Sequence, residues 1–265
     1  MMQESDKVSK VLLFHDVNLN SRLGMQNPSS RYLMDWKKFK EIFEQKSNCN
    51  IKFEPIDAQP LGDTSKAYIR ITIDDGGGSC IDIAKFLKKK NIKGYFFIIT
   101  EFIGEPDFLS KTEILEIHNM GHIIGSHSHT HPHPFHFISQ DKLIYEVKKS
   151  IDILEKIINT SVTVFSVPGG EVNKRVLRIL SNPIMGLNEI YISTPYQGIK
   201  DFKFANSAKI YGRLCIEAHM QKSKIYNFIR GKGWKYALVD YQARRFKREV
   251  VYILKKFLGF RYEKK

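Results

Sequence analysis

The stretch Ala67-Tyr68-Ile69-Arg70-Ile71-Thr72-Ile73-Asp74-Asp75-Gly76-Gly77-Gly78-Ser79 decides how this chain folds. A run that reads as a buried β-strand stops at two adjacent carboxylates and three glycines. Ser79 to Lys90 then sets Ile81, Ile83, Ala84, Phe86 and Leu87 at helical spacing, with lysines in the last turn, where they suit the negative end of a helix. Lys93 to Ile99 reads as the next strand. Strand, turn, helix and strand make one β/α unit, which implies a mainly parallel sheet.

The alternation extends in both directions. Val11 to Phe14 reads as a first strand, and Asp35 to Gln45 as a helix with Trp36, Phe39, Ile42 and Phe43 on one face. Lys111 to Met120 is a helix stopped by Gly121, followed by a strand at His122 to Ser126. Asp141 to Asn159 is a long amphipathic helix, Val162 to Ser166 a strand, Asn173 to Leu180 a helix and Glu189 to Ser193 a strand. Leu214 to Glu217 and Tyr236 to Val239 read as later strands. So many β/α steps favour a closed or nearly closed barrel, with residues 1–265 as one domain. In such barrels the chemistry gathers at the C-terminal ends of the strands.

With 42% hydrophobic and 12% aromatic residues, the chain is globular rather than disordered. No stretch approaches the ~18 apolar residues of a membrane span, and Met1 to Lys7 lacks the pattern of a secretory signal. Cys49, Cys80 and Cys215 are scattered without a CxxC spacing, so neither a disulfide framework nor a zinc ribbon is expected, and a cytoplasmic setting fits. The net charge of +14 points to an anionic partner: nucleic acid, lipid headgroups or a phosphate-bearing glycan carrier. No basic motif interleaved with aromatics appears, which speaks against nucleic acid. Residues 244–265 carry nine Lys or Arg against two Glu, with Phe246, Val250, Ile253, Leu254, Phe257 and Leu258 on one helical face. That basic C-terminal amphipathic helix has two readings. It docks its apolar stripe on the barrel, or it lies on an anionic membrane surface at the cytoplasmic face.

About fifty residues after the Asp74-Asp75 pair comes Gly125-Ser126-His127-Ser128-His129-Thr130-His131-Pro132, again just after a strand. Two imidazoles four residues apart can reach one ion if they project from a helical turn, and Asp75 would complete a set of two histidines and one carboxylate. Such a set leaves positions open for water, whose pKa a zinc-type ion lowers from ~15.7 toward ~7. Asp74 cannot share the direction of Asp75 on an extended backbone and suits the role of base. Zinc, cobalt, nickel, manganese and iron are all served by these donors, with zinc the first choice.

These residues resemble the polysaccharide deacetylases with a NodB homology domain, carbohydrate esterase family 4. The first motif of that family, Thr-Phe-Asp-Asp-Gly, is matched by Thr72-Ile73-Asp74-Asp75-Gly76, and the second, His-Ser/Thr-x-x-His, by His127-Ser128-His129-Thr130-His131. Lys93 to Ile98, Gly121 to His127 and Phe165 to Gly170 are similar as well. The resemblance runs from about Val11 to Gly198. It implies a distorted (β/α)7 barrel that removes an acetyl group from an N-acetylated sugar, with Asp74 as base and Asp75, His127 and His131 holding one divalent metal. Given the charge, a lipid-linked or nucleotide-linked sugar precursor is expected rather than a finished wall polymer.

The chain departs from the family pattern twice. The third motif, Arg-x-Pro-x-Gly, supplies an arginine that orients the base. Here Ser166-Val167-Pro168-Gly169-Gly170 has Ser for that Arg. The fifth motif, Leu-x-His, supplies a general acid, and the candidate is His219 in Ile216-Glu217-Ala218-His219. Pro168, Gly169 and Gly170, with His15 at the end of the first strand, are expected to line the sugar. His15 otherwise serves only to order the strand end. Arg213 and Arg230 read as phosphate binders or as solvated surface charge. Hydrolysis of a different amide on the same fold stays open at this level, as does a non-catalytic glycan- or membrane-binding module with a decayed site.

Overall fold

A computed structural model describes residues 10–19, 22, 24–26, 30–44, 52–57, 68–170, 172–195, 199–200 and 208–257. Cys49, the first residue of the expected strand at Ala67, residues 196–198 and the chain beyond Phe257 lie outside the described residues. In chain order the elements are β1 (Lys10–Phe14), β2 (Val17–Asn18), β3 (Met34–Asp35), α1 (Trp36–Glu44), β4 (Ile69–Ile73), α2 (Cys80–Lys89), β5 (Gly94–Ile98), α3 (Lys111–Asn119) and β6 (Ile123–Ser126). They continue with α4 (Gln140–Ile158), β7 (Val164–Ser166), α5 (Lys174–Leu180), β8 (Glu189–Ile192), β9 (Ile199–Lys200), β10 (Lys209–Gly212), β11 (Leu214–Cys215), α6 (Lys222–Ile229) and α7 (Trp234–Phe257).

The main sheet runs β11-β1-β4-β5-β6-β7-β8-β10-β9. Every neighbouring pair is parallel except β9 against β10. A single residue, Arg213, separates β10 from β11. The Arg213 N–H donates to Ile192 O of β8, and the Ile216 N–H donates to Leu13 O of β1. One run of chain therefore leaves β8 and joins β1, bridging the two ends of the sheet. The result is a nearly closed parallel barrel built from seven runs of chain with helices outside, as the sequence predicts.

The structure differs from expectation in one expected strand and in several added elements. Tyr236 to Val239 is helical, inside α7, because Trp234 and Tyr241 bury against the barrel from one side of a helix. The short strands β2, β3 and β9, the strand β10 and the helix α6 are additions to the expected pattern.

Alternation along β4 explains what the barrel holds. Ile69, Ile71 and Ile73 pack outward into the largest apolar cluster, with Phe96 and Ile98 of β5 and Ile83, Ala84 and Leu87 of α2. Arg70, Thr72 and Asp74 take the opposite face. At the N-terminal end of the barrel, Arg70 Nε donates to Glu54 Oε2 at 2.8 Å and Nη1 to Glu189 Oε1 at 3.0 Å. Tyr95 Oη donates to Glu54 Oε1 at 2.9 Å, and the Tyr191 hydroxyl donates to Glu189. The guanidinium also sits over the Tyr211 ring, 4.7 Å from its centroid. This paired, hydrogen-bonded layer plugs the bottom of the barrel.

Removing one member of such a buried ion network leaves the others uncompensated. Arg70→Met should lower the unfolding free energy by about 3–5 kcal/mol, measured by urea denaturation.

Candidate active site

Asp74 and Asp75 follow β4 at the C-terminal mouth of the barrel. The Asp74 N–H donates to Phe14 O of the neighbouring β1 at 3.1 Å, so Asp74 continues the strand. Asp75 then takes a left-handed conformation with φ 78°. That turn lets two successive carboxylates approach the same imidazole. His127 Nε2 lies 3.6 Å from Asp74 Oδ2 and 3.5 Å from Asp75 Oδ1. The glycines behind them allow close packing: a Cβ on Gly77 would stand 2.2 Å from Asp16 Oδ1.

The histidine segment is a loop rather than the helical turn expected from its spacing. Ser128 (φ 68°) and His131 (φ 52°) are both left-handed, and these reversals bring the His127 and His131 rings to 5.0 Å between centroids. Hydrogen bonds fix the loop. His131 N–H donates to Ser128 Oγ at 3.1 Å, and Ser128 N–H to Ser126 Oγ at 3.1 Å. The fully buried Glu146 of α4 accepts from the His129 and Thr130 N–H groups at 2.9 and 2.7 Å and from Thr130 Oγ1 at 2.8 Å.

His127 Nδ1 lies 2.8 Å from Ser166 O, so it carries the proton and donates. That leaves Nε2, which faces the two aspartates, as the atom available to a ligand. One ligand atom each from Asp75, His127 and His131 lies within 4.8 Å of the others. Two neutral imidazoles and a carboxylate, with one imidazole anchored through its other nitrogen, fit a divalent metal of the zinc type.

The group that stands in for the missing arginine is Arg213, from the junction of β10 and β11. It is fully buried, so neither expectation for it, phosphate binder or surface charge, describes its position. Nη1 donates to Asp74 Oδ1 at 2.7 Å, and Nη2 to Asp74 Oδ2 at 2.8 Å and to Ser166 Oγ at 2.8 Å. Ser166 Oγ in turn donates to Asp74 Oδ2 at 3.0 Å. Burial raises the Asp74 carboxyl, but Arg213 and His127 outweigh it and hold it below the usual carboxylate range. Burial likewise lowers His131, to about 4, with the neighbouring His127 adding to the effect. Burial lowers His127 too, yet the two aspartates bring it above the ordinary histidine value.

These groups open into a cavity of about 300 Å³ lined also by His15, Tyr32, His133, Gly169, Glu217 and Arg244. His15 reaches it from the end of β1, its ring 4.5 Å from that of Tyr32 and its Nδ1 buried with no hydrogen-bond partner among the described residues. Gly169 lines the cavity, whereas Pro168 and Gly170 are buried and do not; a Cβ on Gly170 would meet Ser193 Oγ at 2.0 Å. His219 is not brought into the site. Its side chain is 70% exposed, with Nε2 3.5 Å from Glu217, and it is Glu217 that faces the cavity. Gln26, which the sequence did not single out, donates to Asp75 Oδ2 at 3.0 Å.

Glu146 touches no ligand atom, yet it fixes the backbone between the two histidines. Glu146→Gln, which replaces an acceptor-only carboxylate, should weaken zinc binding by about 10–100-fold, read by competition with a chromophoric chelator, while circular dichroism stays unchanged.

The polysaccharide deacetylase family profile matches residues 61–185, a stretch that contains both motifs. No curated protein is significantly similar to the chain. Among solved structures, a polysaccharide deacetylase from Bacillus cereus is similar at 19% identity and TM-score 0.68, over 84% of this chain and 69% of that one. The Streptococcus pyogenes deacetylase PplD, solved with acetate, is similar at 18% identity and TM-score 0.66, over 83% and 97%. IcaB from Ammonifex degensii is similar at 20% identity and TM-score 0.59, over 79% and 91%. At these identities the likeness is one of fold. Residues 61–185 thus match the polysaccharide deacetylase profile, and the two motifs within that stretch meet at the mouth of this barrel.

Proposed function

We propose that this protein is a carbohydrate N-deacetylase that hydrolyses the acetamide of an N-acetylated sugar with the help of one divalent metal, releasing acetate and a free amine. The observation that carries this reading is the paired geometry of the site. Asp74 is clamped by Arg213, and the ligand atoms of Asp75, His127 and His131 converge beside it at one cavity. That completeness favours catalysis over a decayed binding module. PplD was solved with acetate, the product expected here.

Asp75, His127 and His131 would hold the metal, zinc being the choice that two imidazoles and a carboxylate favour. When bound, it supplies Lewis acidity toward the acetamide carbonyl and toward water. Asp74, kept ionised by Arg213, takes a proton from the attacking water. His15, whose ring lines the same cavity, gives a proton to the departing nitrogen, so the two transfers cancel over a turnover. Ser166 ties the parts together, its Oγ on Asp74 and its carbonyl oxygen on His127. Gly169 leaves one wall of the cavity without a side chain, open to a flat ring.

Arg31 and Arg244 at the cavity rim support a sugar that carries an anionic group, on a lipid or nucleotide carrier, as substrate. The reading includes a cytoplasmic location at the inner membrane face. Among the described residues no helix is long and apolar enough to cross a membrane.

Acetate release from an N-acetylglucosamine oligomer and from a phosphate-linked N-acetyl sugar tests the reaction. Asp74→Asn should cost about 10²–10⁴ in kcat with the metal retained, and an unchanged rate would end the reading. His15→Ala should fall by about 10²–10⁴ as well, whereas His219→Ala should stay near wild type. Activity needs Asp74 ionised and is lost as pH falls through its pKa. Arg213→Gln removes the cation that lowers that pKa, so the acidic limb of kcat/KM should move to higher pH. Returning the guanidinium in Ser166→Arg/Arg213→Ser should move it back.

A further inference from the structure

The last helix is turned opposite to the simplest expectation for an amphipathic segment. In α7, Trp234 and Tyr241 are buried, at 4% and 9% exposure, Ala237 packs on the same core, and Tyr241 and Arg244 line the cavity. At about 100° per residue, the side of the helix away from Trp234 and Tyr241 carries Tyr236, Val239, Ala243, Phe246 and Val250. All five are exposed, with Tyr236 at 84%, Val239 at 65% and Phe246 at 69%. The apolar stripe therefore points away from the barrel, and nothing among the described residues covers it.

Charge identifies the occupant. The helix carries seven Lys or Arg against Asp240 and Glu249 alone, in a chain of net charge +14. Lys235 stands on one flank of the stripe and Lys247 on the other, both exposed. A second copy of this chain would bring the same cations face to face. An anionic lipid surface takes the apolar stripe into its headgroup boundary and meets the flanking cations with phosphates.

We propose that α7 docks the protein on an anionic bilayer surface through this outward stripe. The proposal concerns location and stands apart from the chemistry of the site.

The full chain is floated with phosphatidylcholine vesicles, with and without phosphatidylglycerol. The expected result is binding at least about tenfold stronger to the anionic vesicles and weakened by added salt. Phe246→Glu/Val250→Glu should abolish that binding. The same variant should keep the acetate-release rate on a soluble N-acetyl oligomer, which separates loss of docking from loss of the fold or the chemistry. Three results would overturn the proposal. The first is no binding to anionic vesicles. The second is undiminished binding by the double variant. The third is a wild-type dimer by light scattering that the double variant dissolves, which would make the stripe a contact between copies.

Discussion

The structure depends on one buried ion pair, Arg213 on Asp74. Both groups are withdrawn from water, which costs several kcal/mol for each ion, and only good geometry offsets that. Here the guanidinium meets both carboxylate oxygens and Ser166 Oγ also donates to one of them, so the carboxylate is saturated on the protein side. Asp74 stays charged although buried, and its oxygens are held where His127 and Asp75 also converge. Ser166 is a second hub. Its side chain accepts from Arg213 while its carbonyl fixes the tautomer of His127.

The barrel divides its labour between two faces of each strand. The outward faces, with Ile69, Ile71, Ile73, Phe96 and Ile98, supply the apolar contact to the helices that stabilises the fold. The inward faces supply geometry. One charged layer around Arg70 closes the bottom, a second around Arg213 sets the mouth, and Thr72 and Phe97 lie between them, with Arg213 Cζ 5.7 Å from the Phe97 ring. Such an interior is polar at both ends and tolerates little repacking, because each layer is a network of fixed hydrogen bonds.

Most of the strand and helix alternation and the four residues at the heart of the site were legible in the sequence, because they depend on local signals: apolar runs, glycine stops and two short motifs. What was hidden depends on long-range placement. Arg213 contacts a residue 139 positions away, and nothing in Gly212-Arg213-Leu214 marks a buried guanidinium. The strand β10, Lys209–Gly212, is too short and too mixed to show a period. Tyr236 to Val239 has strand-like residues, and only burial of Trp234 and Tyr241 on one side makes it helix. His219 lies in the turn beyond the end of β11, so it is Glu217, two residues earlier, that faces the cavity.

Arg213 sits where one strand changes partners from β8 to β1, the seam that closes the ring. Side chains alternate along a strand, so a slip of one residue at that seam would turn the guanidinium out into the helical layer. Asp74 would then be left without its counter-ion inside a dry barrel. Correct closure and the pairing of Asp74 are thus a single event: a chain that mis-threads its last strand loses the arrangement at the mouth however native its remaining parts.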